Sequence, residues 1–226
     1  MRSVCAPCVC CRSQRDIIAP MNCDELVLPS AERVLAACKQ FDDENEVVEQ
    51  ALKDLFDRYH ENDNHPHVLL KVVALNALYS TQIFVYSEKV PNVLDVARHI
   101  HGHASVLDSA LRTGLPEIVD TIAMVAVSEK KDRNYFSFAS KYCSWHNPKA
   151  YPIWDSNVES YLACLQRQTG FANDFNMNAH WKYPAFHAVM HRFRDCYDLG
   201  SISFKDIDKF LWLYGGKSSR MAAGQS

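Results

Sequence analysis

Beyond about residue 24, apolar residues recur every three or four positions along most of the chain and rarely alternate, which predicts helices rather than strands. In DENEVVEQALKDLFDRYHEN, residues 43–62, Val47, Val48, Ala51, Leu52, Leu55, Phe56 and Tyr59 fall on one stripe and the acids on the other face. That is an amphipathic surface helix with a solvated acidic side. HVLLKVVALNALYST is apolar nearly all round and predicts a central buried helix.

Shorter helices are expected in VLDVARHIHG, ASVLDSALRT and LPEIVDTIAMVAVS, with Gly102 and Gly114 as stops and Pro116 near a start. RNYFSFASKYCSWH reads as a helix ended by Asn147 and Pro148, and SNVESYLACLQRQ begins the next. Two more, about 179–197 and 203–214, are separated by a turn at Gly200 with Ser201 as cap. The expectation is an all-α fold of about ten helices, arranged as two lobes around a cleft.

Composition agrees with that pattern. The 226 residues include only 7 Gly and 9 Pro, too few for a sandwich or barrel rich in turns. No stretch is long and apolar enough to span a bilayer, and MRSVCAPCVCCRSQRD lacks the apolar core of a secretion signal, so a soluble, cytoplasmic protein is expected. The nine cysteines then read as free thiols or metal ligands rather than a disulfide framework. Cys5, Cys8, Cys10 and Cys11 crowd the start, so residues 1–23 read as a disordered Cys-rich extension and 24–226 as the helical domain.

Charge is distributed unevenly. Residues 1–128 hold 11 Lys/Arg against 18 Asp/Glu, a net of -7, and residues 129–226 hold 13 against 9, a net of +4. A polyanion would meet the second half, where Lys182, Arg192 and Arg194 are candidates for phosphate contact.

The most informative stretch is SFASKYCSWHNPKAYPIWDSNV, residues 137–158. Pro148 and Pro152 break the helix, so Asp155 falls at the start of the next one, where either it or Ser156 can cap. Taken singly, Asp155 reads as a helix cap and Lys141 as a lysine that reaches solvent. Taken together, a lysine facing a carboxylate among Tyr142, Trp145, Tyr151 and Trp154 is a candidate nucleophilic amine, and those rings, Trp145 and Trp154 above all, could stack on a base. His187 and His191 stand four apart but lack the glutamate of a zinc hydrolase, and no metal is expected.

These residues resemble the helix-hairpin-helix base-excision DNA glycosylases, particularly the 8-oxoguanine glycosylase-like members. Lys141 and Asp155 match the hairpin lysine and the aspartate that assists it, and YPIWDSNV is similar to the segment around that aspartate. LNALYSTQI resembles an early Ser-x-Gln segment, matching Ser80 and Gln82, that approaches the opened duplex. DIDKFLWLYG looks like the closing helix of bacterial relatives. The resemblance implies a monomeric DNA N-glycosylase and AP lyase that needs no cofactor and acts on duplex DNA with a damaged base, such as an oxidised purine. Two other readings stand beside it: a non-catalytic helical nucleic-acid-binding or adaptor domain, and an interaction module whose N-terminal cysteines bind zinc.

Overall fold

The computed structural model describes residues 23–176 and 182–216. Among these the chain is all-α, with nine helices and one two-stranded ribbon. In order they are α1 (Ala31–Arg58), α2 (His65–Tyr79), α3 (Val93–Gly102), α4 (Ala104–Thr113), α5 (Glu117–Ala123), β1 (Met124–Val125), β2 (Arg133–Asn134), α6 (Phe136–His146), α7 (Ser156–Thr169), α8 (Tyr183–Cys196) and α9 (Phe204–Gly215). The cysteines at 5, 8, 10 and 11 lie outside the described residues.

The helix ends follow local chemistry. Ser30, Asn64, Asn92 and Ser203 cap α1, α2, α3 and α9 through their side chains, and Asn92 forms a capping box with Asp95. The cap of α9 is therefore Ser203 and not Ser201, because its hydroxyl reaches the Asp206 amide. Gly114 and Gly170 close α4 and α7 in the left-handed region. The run after Ala123 leaves the helix because Met124 and Val125 pair antiparallel with Asn134 and Arg133.

Packing places α9 between α1 and α7, while α6 lies against α2 and α5. The buried side chains form one connected cluster, running from Val34 and Phe56 through Tyr142 and Tyr161 to Phe210. Gly215 permits the closest approach: a Cβ there would lie 2.3 Å from the Asn157 carbonyl oxygen, so only glycine lets the end of α9 meet the first turn of α7.

Three expectations are corrected. The stripe on α1 is narrower than predicted, since Leu52 and Phe56 are buried while Val47 is 81 % exposed. α2 is buried on one face; Val68, Val72 and Leu75 point inward where α1, α3 and α6 pack on it, and Leu70, Val73 and Leu78 are exposed. The cysteines are not all free, because Cys23 and Cys164 form a disulfide across a separation of 141 residues. Cys38, Cys143 and Cys196 remain thiols. No described helix is long and apolar enough to cross a membrane.

Candidate active site

Lys141 lies in the second turn of α6, and Asp155 is the N-cap of α7. The turn between them is pinned from both ends. Ser140 Oγ donates to the Trp154 carbonyl and accepts from the Trp154 amide, and the Tyr151 hydroxyl donates to the Ala110 carbonyl. Asp155 Oδ1 accepts from the amides of Asn157 and Val158, which settles the cap in its favour over Ser156. Its other oxygen, Oδ2, is 3.4 Å from Lys141 Nζ, and Lys141 also donates to Ser137 Oγ at 2.9 Å. A carboxylate at a helix N-terminus is favoured by the aligned peptide dipoles, so Asp155 is held in place by backbone as well as by lysine.

The pair is enclosed. The Lys141 side chain is 5 % exposed and that of Asp155 19 %. The amine lies 5.9 Å from the centre of the Tyr79 ring. The separate expectation that Lys141 reaches solvent is thus corrected; its stem is too deep in α6 packing for the ammonium to emerge.

Around this pair the structure gathers groups that sequence reasoning missed. Glu49 of α1 bonds Lys205 of α9 at 2.8 Å and accepts from the Tyr79 hydroxyl at 2.9 Å. Glu49 belongs to the acidic stretch expected to be solvated, but its side turns toward α9. Asp208 of α9 has its Oδ1 cut off from solvent with no hydrogen-bond partner among the described residues. Burial, with the Asp155 charge next, pushes the Asp208 carboxyl up to about 8, against the pull of Lys141 and Lys205. Burial lowers Lys205 and raises the Tyr79 hydroxyl. The signal that could have found Asp208 is its register: it interrupts the apolar series Ile207, Phe210, Leu211 on a helix packed on both sides.

Trp145 borders the same cluster, and its ring already has neighbours. Phe56 stacks on it at 5.9 Å and the Lys205 ammonium sits 3.2 Å from its ring centre. Trp154 packs edge-on against Phe136. A recess of about 210 Å³ opens beside Trp145 and Lys205, lined also by Asp42, Glu46, Glu49, Gln50 and Lys53.

Ser80 and Gln82 both sit in the left-handed region, at φ 49° and 61°, directly after Tyr79. Asn76 holds this turn by accepting from the Ile83 amide and the Thr81 hydroxyl and donating to the Ile83 carbonyl. The exposed Phe84, Val85 and Tyr86 follow. The turn that carries Ser80 and Gln82 therefore follows directly on Tyr79, whose ring centre is 5.9 Å from the Lys141 amine.

Two basic residues of α8 have partners nearby. Arg192 makes a two-pronged pair with Asp174, Arg194 donates to the Gly200 carbonyl and lies over Phe204, and Lys182 precedes α8 as its N-cap. Arg192 and Arg194 thus fasten neighbouring turns, Arg192 through a pair that is itself exposed. His187 Nε2 donates to the Ala150 carbonyl at 3.0 Å, and the ring packs on His191. Among the described residues no group of three or more potential ligands is placed to hold a metal ion.

A second buried lysine belongs to the core. Lys71 of α2 contacts the carbonyls of Tyr59 and Glu61, Asn62 Oδ1 and the His146 ring. It ties the end of α1 to α2 and α6, and burial pushes it down to about 7.

The fold and site define an all-helical protein with a lysine–aspartate pair enclosed between two helices, near a second aspartate, Asp208, whose Oδ1 has no partner among the described residues. The chain belongs to a family: a model described as HI_0787_N, N-terminal domain, matches residues 31–150, more than half of it. The matched span includes Lys141 and ends before Asp155. An uncharacterized protein of Haemophilus influenzae is 35% identical over 140 residues, which cover 62% of this chain and 62% of that protein. No solved structure matches.

Proposed function

We propose that the chain is a DNA N-glycosylase with AP-lyase activity, in which Lys141 is the nucleophile and Asp155 its assisting carboxylate. The observation that carries the reading is the 3.4 Å approach of Lys141 Nζ to Asp155 Oδ2, made across a proline-broken turn by two rigid helices. A carboxylate held by two backbone amides is well placed to stabilise the positive charge that develops on a sugar as its glycosidic bond breaks. The neutral amine then gives its electron pair to C1′, the base leaves with the bonding pair and takes up a proton, and opening of the sugar yields an imine. Loss of a C2′ proton from that imine expels the 3′-phosphate.

The wall of the pocket supports the same reading. Ser80 and Gln82 project from the turn beside Tyr79, where a duplex opened at one base would lie. A flipped base entering from the recess would replace the Lys205 ammonium on the face of Trp145. Because Lys141 is enclosed, entry has to displace part of this wall. An oxidised purine in duplex DNA is the proposed substrate, the protein acting as a monomer in the cytoplasm. There the Cys23–Cys164 disulfide would meet thiol reductants, so the assay is run with and without them.

A second reading has its own observation. With the Lys141 side chain 5 % exposed and bonded to both Ser137 and Asp155, the pair also suits a pin between α6 and α7 in a non-catalytic nucleic-acid-binding or adaptor domain. Base release from duplexes bearing single modified bases separates the two. The enzyme reading expects release by the wild type and none by Lys141→Gln; a folded protein that binds duplex but releases nothing from any of them supports the adaptor.

A further inference from the structure

The Cys23–Cys164 disulfide lies beside a cation. Cys23 opens a short 3-10 helix, Cys23–Glu25, and Cys164 lies on the buried side of α7. Arg167, three residues further along α7, reaches both sulfurs with Nη2, Cys23 Sγ at 2.9 Å and Cys164 Sγ at 3.4 Å. Its Nε donates to the Ala163 carbonyl at 3.3 Å, which steadies the guanidinium over the bridge. The two sulfurs differ in access, because Cys164 is 1 % exposed whereas Cys23 is partly exposed. A thiol arriving from solvent therefore meets Cys23, and the sulfur it expels is Cys164 Sγ. A neighbouring cation stabilises a thiolate, and a thiolate so stabilised leaves faster.

We propose that Cys23 is a thiol-exchange site, modified reversibly by a small thiol of the glutathione class, with Arg167 stabilising the Cys164 thiolate as it departs. The incoming thiol gives its proton to solvent and its sulfur attacks Cys23 Sγ. The bond between Cys23 and Cys164 breaks with its electron pair on Cys164 Sγ, which leaves a mixed disulfide on Cys23 and a thiolate beside Arg167. Cys164 can then attack Cys23 Sγ and expel the small thiol, with no net oxidation or reduction. Alternatively, a second small thiol attacks the small-molecule sulfur of the mixed disulfide; the two small thiols leave as their own disulfide, and the protein has gained two electrons and holds two thiols. The chain keeps Cys23 near Cys164 throughout. The Cys23 carbonyl accepts from Gln168 Nε2 and the Val27 carbonyl from the Tyr161 hydroxyl at 2.6 Å, so the segment stays on α7 once the sulfur bond has opened. None of these residues belongs to the Lys141 pocket, and the site stands or falls apart from the glycosylase reading.

The test uses the full chain with Cys5, Cys8, Cys10, Cys11 and Cys196 changed to serine, so that the thiols left are Cys38 and Cys143, both buried. The oxidised protein is exposed to reduced glutathione, quenched with acid at timed intervals and mapped by mass spectrometry. The expected result is glutathione on the peptide bearing Cys23 and a free thiol on the peptide bearing Cys164. Arg167→Gln should open about three- to tenfold more slowly, and Arg167→Lys, which keeps the charge, should recover most of the rate. In concentrated urea all three should open at one rate, because only the folded chain brings residue 167 to the sulfurs. Since Cys164 recloses the mixed disulfide, Cys164→Ser is treated in parallel with oxidised glutathione and should hold a lasting adduct on Cys23.

Glutathione found on Cys164 overturns the choice of attacked sulfur. Equal opening rates for Arg167 and Arg167→Gln in the folded protein overturn the part given to the guanidinium. A bridge that opens only in urea, or a Cys164→Ser protein that takes no glutathione on Cys23, overturns the site itself.

Discussion

Asp155 binds Lys141 with one oxygen and the first turn of α7 with the other, so a single side chain joins the cap of one helix to the amine of another. The two duties can be separated by substitution. Asn caps a helix as well as Asp, whereas Ala does not. Asp155→Asn should keep near-wild-type stability and lose most base release, and Asp155→Ala should lose about 1 kcal/mol of stability as well. Urea unfolding of both variants beside the release assay checks this.

Gly215 governs the contact that brings α9 against α7. A methyl group 2.3 Å from the Asn157 carbonyl oxygen forces the helices apart, so Gly215→Ala should cost about 1 to 3 kcal/mol. Gly216→Ala is the control, because its Cβ would meet only the Asn157 side chain, at 3.1 Å or more. Thermal unfolding should rank Gly215→Ala well below Gly216→Ala.

Lys71 answers to the core and not to the site. Lys71→Met leaves the Tyr59 and Glu61 carbonyls short of a donor, at about 1 to 3 kcal/mol for each group left buried and unpaired, while Asn62 Oδ1 keeps the Tyr142 hydroxyl. Circular dichroism melts should show the loss, while the Lys141 pair, on α6 and α7, keeps its own bonds.

Asp208 makes stability depend on pH in a defined direction. Its carboxyl is raised in the folded protein from an ordinary value of 3.8 to about 8, so between those values the folded state binds the proton and the unfolded state does not. Stability from this group is therefore complete below about pH 4 and is lost as pH rises through 8. Asp208→Asn has no such proton to lose. Its unfolding free energy relative to wild type should climb from pH 4 to pH 8 and then level off, as read by denaturant midpoints across pH.

Most of the helices were legible in the chain because their signals are local. The segment from Val93 to Gly102 carries its own cap in Asn92, the segment from Ala104 to Thr113 its own stop in Gly114, and Asn147 and Pro148 end α6 where the breaker predicts. Lys141 and Asp155 were legible too, since a proline turn between two helices brings their ends together whatever the rest of the fold does. Glu49, Lys205 and Asp208 were not. Each sits on an amphipathic helix with charged neighbours, and only the packing of α9 between α1 and α7 decides which of those charges turns inward. The Cys23–Cys164 pairing was hidden for the same reason, as its partners are 141 residues apart. The local partners of Arg192 and Arg194, Asp174 and the Gly200 carbonyl, were not legible either, because net charge says nothing about whether a cation already has a partner.

The central claim is that the Lys141 amine forms a covalent bond to a sugar carbon. The most direct measurement is mass-spectrometric mapping of the peptide modified when the protein is reduced with borohydride on duplexes bearing modified bases. The account predicts a single adduct on the peptide containing Lys141, absent in Lys141→Gln. An adduct on another lysine, or one that persists in Lys141→Gln, would contradict it.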